Sequence, residues 1–125
     1  MSSMSETVRT AWKAREGPIV LATVDDAGNP NIIYATCVAA LGEDKIVIAD
    51  NYFDKTRKNL LRGCKGAVLF MTKKGAAYQL KGTLSYHKDG EYFDFMRTWN
   101  PPKHPGNAAA VLTVKEAYAG AEKLS

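Results

Sequence analysis

The chain has 125 residues, of which 46% are hydrophobic and 24% charged, with 17 Lys plus Arg against 13 Asp plus Glu for a net charge of +4. That length matches one domain with one hydrophobic core, and the composition excludes wholesale disorder and a disulfide framework, since only Cys37 and Cys64 are available. No apolar run approaches the roughly 18 residues of a membrane span, and the mixed, polar first 16 residues do not read as a secretory signal, so a cytoplasmic protein is expected.

Met4, Val8, Ala11, Trp12 and Arg15 recur at helical spacing and predict a first helix ended by Gly17-Pro18. The β-branched run 19–24 is continuously apolar and predicts a strand buried on both faces. Asp25-Asp26-Ala27-Gly28-Asn29-Pro30 is turn chemistry. It leads into a second strand over 31–41 and, after Gly42-Glu43-Asp44, a third over 45–50. Short turns between three strands predict an antiparallel meander.

A short helix is expected over 54–62, with Asp54 as its N-cap, Leu60 and Leu61 facing inward and Gly63 at C′. Strands follow over 66–72 and 76–87, then a helix over 91–99 whose Tyr92, Phe93, Phe95, Met96 and Trp99 form a bulky face. The segment 100–106 holds three prolines, which exclude helix and central strand, and residues 109–114 read as a last strand. The sum is one domain over 1–125, mainly β (α+β). Its six-stranded antiparallel split β-barrel has Greek-key or meander connections and about three short helices.

The charge is not evenly spread. Between Asp54 and Arg62 lie Lys55, Arg57, Lys58 and Arg62 against one acid, so this helix carries +3 of the net +4. Three of these cations sit in the first turn, where the helix dipole disfavours them by a few tenths of a kcal/mol each. An anion at the unpaired N–H groups of the helix start removes that cost, and a Thr hydroxyl beside lysines suits a phosphate. The plain alternative is a capped helix with solvated lysines.

In order and spacing, several pieces resemble the flavin-binding split barrels related to pyridoxamine 5′-phosphate oxidase, above all its small one-domain FMN-binding proteins. They are Ile19 to Val24, Asp26 to Pro30, Lys45 to Ile48, Lys55-Thr56 with Asn59, Lys81-Gly82-Thr83 with Asp89-Gly90, and Val111 to Val114. The resemblance implies a homodimer with FMN at the subunit interface. It places the phosphate on Lys55 and Thr56, with Arg57 and Lys58 as helpers. It lays Ile33, Tyr34, Ala35 and Thr36 against the ring and ribityl chain, flanked by Ile48, Ala49 and Asp50. Asn59 is expected to brace the helix. The segment 100–106 departs from that pattern: it reads either as a rigid surface connection or as a cover over the neighbouring subunit's flavin, with Trp99 or His104 at the flavin edge.

His87 and His104 have no metal-spaced neighbours, so no metal site is expected, and neither a P-loop nor a G-x-G-x-x-G is present. No catalytic residue is singled out, and the substrate or redox partner is not legible. The function expected is an FMN-dependent oxidoreductase. Its rivals are a non-catalytic electron carrier or flavin store, a deazaflavin or haem protein on the same fold, and an OB-like barrel stacking nucleic acid on Tyr34, Tyr52, Phe53 and Tyr78. Cations gathered on one helix start argue against a nucleic-acid groove.

Overall fold

In the computed structural model, which describes residues 4–124, Ser5 caps the first helix, α1 (Glu6–Lys13), by accepting a hydrogen bond from the Val8 amide at 3.3 Å. Val8, Ala11 and Trp12 turn into the core. The strands are β1 (Ile19–Val24), β2 (Pro30–Ala35), β3 (Val38–Leu41), β4 (Lys45–Asp50), β5 (Cys64–Met71), β6 (Ala77–His87), β7 (Ala108–Ala119) and β8 (Glu122–Lys123). Helix α2 (Lys55–Arg62) follows β4, and α3 (Gly90–Trp99) follows β6.

Every pairing is antiparallel, and the sheet runs β2-β1-β5-β6-β7-β4-β3, with β8 added on β7. It curls into a half-barrel. Consecutive strands β2 and β3 therefore lie at opposite ends of the path, leaving a seam between them. The strand expected over 31–41 is two strands that part at Thr36-Cys37, and the expected three-stranded meander is two hairpins, β1–β2 and β3–β4. Among the described residues eight strands stand where six were expected, because of this break and because the last strand is followed by β8.

Burial also corrects the expectation for residues 19–24. Ile19, Leu21 and Thr23 are buried while Val20, Ala22 and Val24 are half-exposed, so β1 has one wet face. It is β4 that is buried on both sides: Ile46 and Ile48 join the main core, and Val47 and Ala49 pack under α3 with Met96, Ala109 and Val111. Leu60 of α2 is in the core, whereas Leu61, expected to face inward, is 56% exposed. Asn59 braces α2 by donating from Nδ2 to the buried Thr23 hydroxyl at 2.9 Å.

The longest pairing, β6 with β7, carries a register shift at Lys81-Gly82. A Cβ at Gly82 would lie 1.8 Å from the Thr113 carbonyl oxygen, so the bulge requires glycine. Among the described residues no helix is long and apolar enough to cross a membrane.

Candidate functional site

The seam between β2 and the β3–β4 hairpin opens into a cavity of about 380 Å³. One wall is β2 and its continuation: Asn31, Ile33, Tyr34, Ala35, Thr36 and Cys37. The other is Ala49 at the end of β4, the connection of Asn51, Tyr52, Phe53 and Asp54, the first turn of α2 with Lys55 and Thr56, and His104. Among the described residues β2, a sheet edge, pairs only with β1, so backbone groups on its free side face the seam.

The start of α2 is built by an acid other than the expected one. Asp54 occupies the N-cap position, but its side chain makes no capping bond, and the first turn contains no acid. Asp50, 0% exposed, does the organising instead. Its carboxylate accepts from Arg57 Nε at 2.7 Å and Nη2 at 3.0 Å, from the Tyr86 hydroxyl at 2.5 Å and from the Phe53 amide at 3.0 Å. Burial pushes this carboxyl up, but the Arg57 and Tyr86 hydrogen bonds and the Phe53 amide outweigh it and hold Asp50 below the ordinary carboxylate value. Burial, then the bonded carboxylate, push the Tyr86 hydroxyl up to about 12. The same carboxylate raises Arg57.

The sequence-derived residues thus separate. Ile33, Tyr34, Ala35, Thr36, Ala49, Lys55 and Thr56 share the cavity. Thr56 is almost fully buried, and its Oγ1 accepts from Asn31 Nδ2 at 2.9 Å. That leaves the hydroxyl hydrogen to donate. Arg57 and Asp50 are spent on each other behind the cavity. Ile48 points into the core. Lys58 lines a neighbouring groove with Asp25, Asp26 and Arg62, which shares Asn31 and Lys55 with the cavity. Trp99 lies against α3's own packing, edge-to-face with Phe95 at 5.8 Å, away from the cavity wall.

Sequence motifs do not mark Asn31, Cys37, Asn51 or the cavity roles of Tyr52 and Phe53. Asn31 follows a turn proline and Asn51 ends an apolar strand, and polar residues at the ends of apolar runs are the signal that was there to use.

A half-barrel open along one seam, with an apolar wall on one side of the seam cavity and a cationic helix start at one end, defines a split barrel. The chain belongs to the pyridoxamine 5′-phosphate oxidase family, whose sequence model matches residues 4–119. An uncharacterized protein of Methanocaldococcus jannaschii is 34% identical over 112 residues, covering 85% of this chain and 75% of that one. Among solved structures, an FMN-binding protein from Syntrophomonas wolfei superimposes with a TM-score of 0.74 at 25% identity, over 94% of this chain and 83% of that one. HupZ of Group A Streptococcus superimposes with a TM-score of 0.82 at 18% identity, over 98% of both chains.

Proposed function

We propose that this protein is a flavoprotein that binds FMN in the seam cavity, as a homodimer with the cavity at the subunit interface, and acts as an oxidoreductase. The observation that carries this reading is one cavity joining Lys55 and Thr56 at the start of α2 to the apolar wall of β2. Those residues fit the group. Ile33, Ala35, Ala49 and Phe53 offer flat apolar surface, the free edge of β2 offers backbone donors and acceptors for a ring edge, and Lys55 and the Thr56 hydroxyl offer charge and a donor for a phosphate. The FMN-binding Syntrophomonas wolfei relative on the same fold supports it.

FMN supplies hydride and electron transfer; this chain's part is to bind, orient and shield it. The Asp50–Arg57 pair serves by fixing α2 against β4, so that Lys55 and Thr56 keep their place. A second copy is supported by the outer face of the β2–β1–β5 end of the sheet, where Ile32, Tyr34, Leu69 and Met71 stand exposed together.

Purified protein should be yellow and release FMN on denaturation. Lys55→Ala with Thr56→Ala should weaken FMN on the order of a hundredfold, the loss of two charge-assisted contacts, and leave riboflavin nearly unchanged. Reduction of the bound flavin by NADH or NADPH, followed by stopped flow, separates an oxidoreductase from a carrier: a rate no greater than that of free FMN argues for the carrier. A colourless protein that takes up neither flavin overturns the reading.

A further inference from the structure

The proline-rich segment between α3 and β7 is fastened to the end of β4 through one side chain. Asn51 Nδ2 donates to Asn100 Oδ1 at 3.0 Å. Asn100 Nδ2 returns a bond to Asn51 Oδ1 at 2.9 Å, and that oxygen also accepts the Gly106 amide at 3.0 Å. The far end is tied by the Asn107 amide, which donates to the Asp50 carbonyl at 2.9 Å. Gly106 has φ +55°, and a Cβ there would come within 3.0 Å of Asn100 Nδ2, so the amide pair fills its space. Three prolines and a His104 amide to Pro101 carbonyl bond of 3.0 Å stiffen what lies between.

A segment held in this way delivers His104 to one place. Its Nδ1 lies 3.1 Å from the Tyr52 hydroxyl, the two rings meet edge-to-face at 5.6 Å, and both residues line the seam cavity. A tyrosine hydroxyl and a neutral imidazole have one hydrogen each to donate. Their mutual bond uses one, whichever way it runs, and one N–H or O–H is left over.

We propose that this spare donor recognises the edge of the bound flavin ring, with Asn51 as the positioning residue that sets His104 in place. The inference rests on the flavin reading above. It gives the cavity a ring end at Tyr52 and His104 and a phosphate end at Lys55 and Thr56. A donor at the ring edge also stabilises the electron-rich reduced ring, so the pair raises the reduction potential of the bound flavin.

Riboflavin, which lacks the phosphate, isolates the ring end. His104→Ala should weaken riboflavin and FMN by the same factor, roughly three- to tenfold for one hydrogen bond, and lower the midpoint potential of the bound flavin. His104→Gln, which keeps a donor, should restore part of both. Asn51→Ala should match His104→Ala, and the double variant should lose no more than the larger single, because both act through one contact. Circular dichroism establishes that each variant is folded. Riboflavin affinity within twofold of the parent and an unchanged potential in His104→Ala, with FMN still bound, overturn this inference alone. Loss of binding in Asn51→Ala without loss in His104→Ala overturns it too, by assigning Asn51 to the fold. A parent protein that binds neither flavin overturns the flavin reading and this inference with it.

Discussion

Asp50→Asn removes one charge from a buried site while keeping the side-chain volume. The carboxylate accepts four hydrogen bonds, two of them from the Arg57 guanidinium. The amide turns one oxygen into a donor that faces other donors. Breaking a fully buried pair costs about 3–5 kcal/mol. The Arg57 side chain is 36% exposed, so water takes up part of its lost partner, and the expected destabilisation is about 2–4 kcal/mol. In urea titrations at pH 7 and equal protein concentration this moves the midpoint by roughly 1–2 M.

The pH dependence is a sharper test. Asp50 is held below its ordinary value in the folded protein, so its contribution is present above the unfolded carboxyl pKa of about 3.9 and is lost as pH falls through the lower folded value. The gap between parent and variant should be flat from about pH 5 to 8 and close below about pH 4. The Tyr86 hydroxyl, pushed up to about 12 in the parent, should titrate lower in the variant when followed by ultraviolet absorbance. A gap under about 0.5 kcal/mol at pH 7, or one that does not change down to pH 3, would refute the role given to Asp50.

Gly82→Ala should cost about 3 kcal/mol or more by thermal denaturation, since its Cβ would meet the Thr113 backbone. Gly28→Ala, where φ is +84° but space is open, should cost only about 1–2 kcal/mol, and equal losses would sink the steric argument. Leu60→Ala should cost about 2–5 kcal/mol, while Leu61→Ala, half in water, should stay within about 0.5 kcal/mol in the same assay. If a second copy covers the outer sheet face, Ile32→Glu should shift the protein toward monomer in sedimentation velocity, and an unchanged sedimentation coefficient would remove that face from the interface.

What the sequence disclosed was mostly local. The cation-bearing helix, its inward Leu60 and the glycine at its end follow from spacing within nine residues, as do Lys55 and Thr56 at its start. The break at Thr36-Cys37 was hidden because the run from Ile32 to Leu41 contains no glycine or proline and keeps strand-forming residues throughout. Only the departure of the chain from β1 toward β4 interrupts it. Asp54 looked like the organising acid by proximity. The residue that does the work, Asp50, reaches Arg57 seven positions on and Tyr86 thirty-six positions on. The Asn51–Asn100 pair spans 49 positions, and no local pattern announces it. Trp99 precedes an unusual segment and packs on Phe95 within its own chain, which bears on that chain's cavity and not on a neighbouring subunit's.

The strand order also governs when the site can exist during synthesis. β4 has only β3 and β7 as neighbours, and its pairing with β7 joins Lys45 to Thr113 and Asp50 to Ala108. Before β7 leaves the ribosome, the strand that carries Ala49 into the cavity wall and leads on to Asn51 has one short hairpin partner. β1 likewise waits for β5. Such distant pairings fold slowly, because loop closure must come before the contacts that reward it. The cavity is therefore a late product of folding, assembled when the last long strand docks. The nascent first half, its two hairpins still without β5 and β7, is the interval in which this protein is most exposed to aggregation.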